Sequence, residues 1–427
     1  MTGNTMMKVF KFGGASVSSV ERIQNLARIM QSYRGEPIMV IISAMGKTTN
    51  ALEKVVESFF AGRKEEALQL FDQVKQQHLS TAKYLLVTHY RSCEAQLRDF
   101  FTEVAWLLHD QPLRDYDYYY DQIVSTGELY STAIVSAYLN ESGITNQWVD
   151  VRDIVRTDDD FRDAAIDWDF TAQKVEAEIL PIFRHTDIVL TQGFIGATDE
   201  NESTTLGREG SDYSAAVFAN LLNGASLTIW KDVESVMNAD PKQFPDALPI
   251  PELNYNEVIE MAYYGAQIIH PKTIKPLQNK GIPLYVKSFL DPTLPGTLIH
   301  DQPVHGLPPI IVLKEKQALL QMSSLDFSFI GEHHVGHLYH LFEKLHINPN
   351  LTQNGAISFL CVLEDRPEKI EKLASAAAAF LEVQVSKSLS LLTIRHYNEE
   401  VIEQHTKNKK ILLRQQTTEV IQLLMND

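Results

Sequence analysis

The sequence predicts an α/β fold with a mostly parallel central sheet flanked by helices, followed by a smaller ferredoxin-like region. Three observations carry that reading. Short apolar or alternating runs of strand length recur between helical stretches as far as residue 302, the pattern of βα units. Several of these runs are apolar on both faces and stop at small or glycine residues, as in a buried parallel sheet. The texture then changes at DPTLPGTLIHDQPVHGLPP (291–309), after which the order is strand, helix, strands, helix, strand, which is ferredoxin-like. The main boundary is placed near residue 302, giving domains 1–302 and 303–427.

The chain has 427 residues and a net charge of −17, from 38 Lys and Arg against 55 Asp and Glu. At about 100 to 200 residues per domain it holds two or three domains. The acidic balance argues against nonspecific nucleic-acid binding, and no apolar run reaches the roughly 20 residues that cross a bilayer. MTGNTMMKVF runs straight into the first strand with no secretory pattern. Cys93 and Cys361 are far apart, which suits a reducing compartment, so a cytoplasmic protein is expected. If so acidic a chain binds anions, its cations must be gathered locally.

Taken in order, KVFKF (8–12) alternates as a strand and ends at Gly13 and Gly14. A helix follows from Ser18, with Ser18 and Glu21 as a capping box and Val20, Ile23, Leu26, Ala27 and Met30 on one face. A glycine turn before a helix N-terminus exposes backbone N–H groups to an anion. Lys11 stands beside that turn. GxxxxGK[ST] and GxGxxG do not fit here, and an ordinary turn with a surface lysine is the plain alternative.

PIMVIISAMG (37–46) reads as a buried strand with Ser43, Ala44 and Gly46 at its carboxyl edge, and residues 48–114 as a helical insertion. IVSTGELYSTAIVSAYL (123–139) reads as a turn and a helix; QWVDVRDIV (147–155), TDIVLTQGFIG (186–196) and ASLTIWKDV (225–233) read as strands. Ligands of such sheets bind beyond the strands' carboxyl ends. Those ends carry Lys11, Ser43, Thr126 to Glu128, Gly193 to Gly196, and Lys231 with Asp232.

TTLGREGSDYSAAVFANLL (204–222) sets Arg208 on a glycine loop and Ser211 and Asp212 at a helix start. The guanidinium can hold a carboxylate or phosphate by two parallel bonds, and the aspartate can organise a lysine or hydrated Mg²⁺; simple helix capping is the alternative. Glu128 can accept an ammonium group or merely favour its helix dipole, worth about 0.3 to 1 kcal/mol. In IWKDVESVMNADPK (229–242), Lys231 and Lys242 flank a loop able to wrap a nucleotide. His270 is read as structural, and with neither an HxxxH nor a CxxC spacing recognised, no structural zinc site is expected.

Each signal is modest, but KFGGASV, SAMG, STGELYS, QGFIGAT, TTLGREGSDYSAA, IWKDVESVMNADP and GAQIIHP occur in that order before the ferredoxin-like tail. Together they resemble aspartate kinases, members of the amino acid kinase family with a C-terminal ACT regulatory region, over nearly the whole chain. The resemblance implies transfer of the ATP γ-phosphoryl group to the β-carboxylate of L-aspartate, giving 4-phospho-L-aspartate at the head of lysine, threonine and methionine synthesis, with Mg²⁺ accompanying the nucleotide.

Carried over by position, Lys11 bridges the transferring phosphoryl oxygens, Gly13 and Gly14 offer backbone donors, and Asp212 orients Lys11. Glu128 holds the substrate ammonium, Arg208 its α-carboxylate, and Phe194 walls the pocket; Ser43 and Ser211 complete the substrate set. Lys231, Asp232, Met237, Lys242 and Gln267 fall at nucleotide positions, and no side chains are assigned to a metal.

The sequence departs from the family pattern at Glu209, where a second glycine is usual, and at Lys231, Met237, Lys242 and Gln267. Lys231 is expected to supply the charge that Gln267 lacks. VIEQHT, KKILLRQQTT and VIQLLM read as a truncated second ACT unit. The resemblance further implies a homodimer and a lysine or threonine effector, met here by Asp326, His333 to Gly336 and Asn350. Acetylglutamate and uridylate kinases do not combine Glu128, Arg208 and such a tail. A non-catalytic amino-acid sensor would not need Lys11, Arg208 and Asp212.

Overall fold

The computed structural model describes residues 7–266 and 268–426. β1 (Lys8–Phe12) runs into a 3-10 turn (Gly14–Val17) and α1 (Val20–Ser32). After β2 (Ile38–Ile42) come α2 (Thr48–Phe60), α3 (Lys64–Leu85) and α4 (Tyr90–His109). α5 (Tyr116–Val124) and α6 (Thr126–Glu141) abut at Ser125, followed by β3 (Gln147–Trp148), α7 (Trp168–Lys174) and β4 (Ile188–Gln192). β5 (Ile195–Ala197), β6 (Ser203–Thr205), α8 (Gly210–Leu221) and β7 (Ser226–Lys231) lead to β8 (Glu252–Asn254), α9 (Tyr255–Tyr264), α10 (Pro271–Gln278), β9 (Leu284–Ser288) and β10 (Thr297–His300).

The chain divides into two compact units, the first comprising residues up to Val236, Pro249–Ile259 and Ile268–Val304. Its eight strands are ordered β3-β4-β2-β1-β7-β9-β10-β8 and pair in parallel except β9 with β10. Burial of β2 on both faces explains its unbroken apolar run. Beside it, Phe12 and Trp230 stack with 5.9 Å between ring centres. β1 has the next strand in sequence, β2, on one side and the much later β7 on the other. The sheet therefore changes winding direction at β1, where a crevice opens beyond the carboxyl ends.

Several local expectations are corrected. Ser19, rather than Ser18, caps α1 by accepting from Arg22 N at 3.3 Å. Ser18 is used by the 3-10 turn, its hydroxyl donating to Ala15 O at 2.9 Å. In STGELYS the turn is the single residue Ser125, which keeps right-handed helical angles between two helices, and Glu128 lies in the first turn of α6, with Gly127 packed against Ala44, Thr48 and Leu52. Glu128 thus reaches the crevice from the first turn of a helix. The strand expected over 147–155 stops at Trp148, because Asp150 accepts from Arg152 N at 3.0 Å and starts a 3-10 turn instead. TDIVLTQGFIG is likewise split, since β5 leaves the main sheet to pair with β6.

The second unit comprises Met237–Leu248, described residues from Glu260 onward before Ile268, and the chain from His305. It contains β11 (Ile310–Ser323), α11 (Glu332–Lys344), β12 (Leu351–Asn354), β13 (Ser358–Glu364) and α12 (Pro367–Ala377). β14 (Glu382–Arg395), α13 (Glu399–Thr406), β15 (Ile411–Gln416) and β16 (Val420–Asn426) complete it. The antiparallel sheet runs β12-β13-β11-β14-β16-β15.

β11 and β14 are each 14 residues long, with a register shift between Lys314 and Gln317, and so serve separate cores. Ala318, Leu320 and Met322 pack with Leu338, Phe342, Ile370 and Leu373 from α11 and α12. Leu392 and Ile394 pack with Ile402, Ile421 and Leu423, where α13 is short. α11 also carries an HxxxH spacing, His333 and His337, which the sequence reading passed over. The His337 ring is stacked on Phe380 at 4.5 Å.

Candidate functional site

A cleft of about 420 Å³ opens in the first unit at the end of β1. Lys11 leaves β1 into it, only 12% exposed, with its Nζ 2.7 Å from Asp212 Oδ1 in the first turn of α8. Burial opposes charge on Asp212, but Lys11, with Lys231 adding to it, overcomes this and holds the carboxyl below its ordinary range. The glycine turn lies directly beneath: a side chain at Gly14 would begin 2.6 Å from Ala44 O. This close approach brings the β1 and β2 turns together, and only glycine permits it.

Glu128 enters from α6 and behaves in the opposite way. Its Oε1 accepts from Ala44 N at 3.2 Å, while Oε2 is buried and has no hydrogen-bond partner among the described residues. Burial pushes this carboxyl up to about 8, against the smaller pulls of the Ala44 and Glu128 N–H groups and of Lys11. An unpaired buried polar atom costs about 1–3 kcal/mol, and a cationic donor reaching Oε2 would relieve that cost.

Arg208 reaches the cleft from the loop between β6 and α8, exposed and with no ion-pair partner among the described residues. Ser43, Phe194 and Ser211 also line the cleft. Three of its residues, Arg162, Phe194 and Glu209, are in left-handed backbone at φ 75°, 72° and 53°. Such strain persists where surrounding structure enforces it, and it gathers at functional sites. The Glu209 carboxylate accepts from His270 N at 3.1 Å, and the His270 ring caps α10 by accepting from Lys272 N at 3.2 Å.

The nucleotide positions are less gathered. The Lys231 ammonium donates to Ile268 O, and Asp232 beside it is exposed. Met237 and Lys242 belong to the second unit, where Lys242 N donates to Asp240 Oδ1 at 2.9 Å. Gln267 lies outside the described residues. Of the effector candidates, Asp326 accepts from Ser324 Oγ at 2.9 Å, and Asn350 is engaged by Lys314 and Gln317, both at 2.7 Å.

Sequence reading missed Thr49, Tyr120, Arg162, Thr205 and Gly207, all of which line the cleft. It also missed Asp121 behind them, which accepts from Thr205 N and Oγ1, both at 2.7 Å. A carboxylate on the tyrosine face of DYDYYYDQIV was the available signal, since an acidic residue on an apolar stripe needs a partner. Among the described residues, no three His, Cys, Asp or Glu side chains are placed to hold a metal ion.

The profile of the amino acid kinase family matches residues 6–288. The lysine-sensitive aspartokinase 3 of Escherichia coli K12 is 30% identical over 400 residues, 90% of this chain and 86% of that protein. The chain belongs to the amino acid kinase family, in its aspartokinase branch. A bifunctional aspartokinase/homoserine dehydrogenase of Zea mays chloroplasts is 31% identical over 70% of this chain. This family member spans only 33% of that maize protein's length. The crystal structure of E. coli aspartokinase III with aspartate and ADP matches at TM-score 0.80 and 26% identity, covering 98% of this chain and 96% of that one.

Proposed function

We propose that this chain is an aspartate kinase, transferring the γ-phosphoryl group of ATP to the β-carboxylate of L-aspartate to give 4-phospho-L-aspartate. The observation that carries the reading is the pairing, in one cleft, of a buried carboxylate oxygen lacking a donor, Glu128 Oε2, with an unpaired guanidinium, Arg208. An α-amino acid offers both complements.

Phosphoryl transfer needs positioning and positive charge on the moving oxygens more than covalent chemistry. Lys11, held at 2.7 Å by Asp212, supplies that charge at the glycine turn, where Gly13 and Gly14 offer N–H donors. Glu128 takes the substrate ammonium, Arg208 its α-carboxylate, and Phe194, Ser43 and Ser211 shape the pocket, leaving the β-carboxylate free to face the nucleotide. Lys231, Asp232, Met237, Lys242 and Gln267 are the proposed nucleotide residues. Mg²⁺, bound with ATP, would neutralise phosphate charge; Asp212 is the carboxylate best placed to meet its hydration shell.

The same reading extends to control and assembly. A relative named lysine-sensitive supports an amino-acid effector acting on the second unit, and the sheet edges at β12 and β15 support a homodimer that covers them. With Asn350 and Asp326 engaged internally, His333 to Gly336 are the remaining effector candidates.

A coupled ADP-release assay with ATP, Mg²⁺ and aspartate, N-acetylglutamate or UMP tests the proposal. ADP release with aspartate alone is expected. Release with another acceptor, or with none, defeats it. An unchanged rate in millimolar lysine and threonine removes the effector.

A further inference from the structure

The cleft holds a second guanidinium that the assigned roles leave unused. Arg162 lines it together with Tyr120 and Arg208, and its φ of 75° is one that residues with a Cβ avoid. Asp121 enforces that conformation: its Oδ2 accepts from Arg162 N at 3.0 Å while the same carboxylate grips Thr205. Ala164 N donates to Thr205 O at 3.0 Å. A side chain at Gly207 would begin 2.4 Å from Asp163 Oδ1 and 3.3 Å from Arg162 O. Residues 162–164 therefore run alongside 205–207, the stretch that delivers Arg208.

The Arg162 guanidinium lies 4.5 Å from the Tyr120 ring centre, with Nη1 2.9 Å from Asp117 Oδ1. The ring face favours a cation and restricts its path. The ion pair is weakly held, since the two side chains are 47% and 54% exposed and solvent screens such pairs. A guanidinium with a rigid base, an aromatic support and a replaceable partner is suited to capturing an arriving carboxylate.

We propose that Arg162 is a second carboxylate-binding residue of the acceptor pocket, joining Arg208 on the α-carboxylate, and that Asp117 holds it until the acceptor arrives. This rests on the aspartate kinase reading. Asp121 is then a positioning residue, acting through the backbone of Arg162 and Thr205.

The test compares wild type, Arg162→Gly, Arg162→Lys and Asp117→Asn as purified full-length protein. Glycine accepts the left-handed backbone, so Arg162→Gly removes the guanidinium with no reason to unfold; an unchanged or higher melting temperature verifies this. In Arg162→Gly the KM for aspartate should rise about tenfold, the scale of one charge-assisted bond, with kcat and the KM for ATP nearly unchanged. Arg162→Lys should recover part of the loss, and Asp117→Asn should match or improve on wild type.

With L-aspartic acid α-amide, which lacks the α-carboxylate, the ratio of Arg162→Gly to wild type should fall to about one. A ratio near one with aspartate, an equal ratio with the α-amide, or a shift confined to ATP overturns the proposal. Calorimetric titration of aspartate and the α-amide separates the two readings. Binding that weakens in Arg162→Gly without turnover in wild type preserves Arg162's role but defeats kinase activity; no aspartate binding by wild type defeats both.

Discussion

Asp212 and Glu128 face the same cleft and are equally hidden from water, 4% and 2% exposed, yet they are held in opposite charge states. Asp212 has Lys11 at 2.7 Å and stays ionised. Glu128 has one backbone donor and an empty oxygen, and burial raises it to about 8. Burial pushes both carboxyls up and decides the state of Glu128; only at Asp212 is a cation close enough to overcome it. On the proposed reading, the phosphoryl end, Lys11 with Asp212, is finished before substrate arrives, whereas the acceptor end at Glu128 would receive its cation from the substrate.

The largest expected effect breaks the finished end. Lys11→Ala should lower kcat by about 10² to 10³, the usual loss for a preorganised donor. Because Lys11 and Asp212 form one unit, Lys11→Ala with Asp212→Asn should be little worse than Lys11→Ala alone, since coupled residues are not additive. A double variant whose losses multiply would show that the two act independently.

The waiting end should respond to charge and to pH. Glu128→Gln should raise the KM for aspartate about 10- to 100-fold, with kcat less affected. It should also stabilise the substrate-free protein. A carboxyl raised from 4.5 to about 8 binds more protons folded than unfolded across that window, so wild-type stability falls as pH rises through it. Glu128→Gln should gain a few kcal/mol above pH 8 and nothing near pH 4, as melting curves would show. By the same logic, binding aspartate to the neutral carboxyl releases a proton. The KM for aspartate should therefore fall by up to about tenfold per pH unit between pH 6 and 8, and that for ATP should not. Asp212, held low, should contribute nothing over that range.

The two ends also differed in how far sequence exposed them. Lys11, Arg208 and Asp212 sit where strand or loop meets helix beside glycines, and local physics marks such places. Glu128 was found by its place just past a glycine at a helix start, as observed, although Gly127 is there for packing against Ala44 and Thr48. Arg162 left no local mark, and the one mark of Asp121, an acid on the tyrosine face, did not say what it binds, because both roles depend on residues 162–164 running beside residues 205–207, far apart in the chain. The parallel sheet was legible from its apolar runs. The early end of β3 was not, since Arg152 N donates to the Asp150 carboxylate and a 3-10 turn takes the place of strand pairing.

The smallest expected effect concerns Glu209, which stands between the two ends. Its left-handed φ of 53° costs a non-glycine residue about 1–2 kcal/mol, and its bond to His270 N at the start of α10 returns about 0.5–1.5 kcal/mol, with a further gain from the helix dipole. The two nearly cancel. Glu209→Gly should leave the melting temperature within a few degrees of wild type. It also removes a negative charge from a cleft proposed to take anionic substrates, so KM values for aspartate and ATP should both fall by less than about threefold, most clearly at low salt where that repulsion is least screened. If stability instead drops sharply, the bond to α10 is what fixes the Arg208 loop, and Glu209 would belong with the finished end of the site.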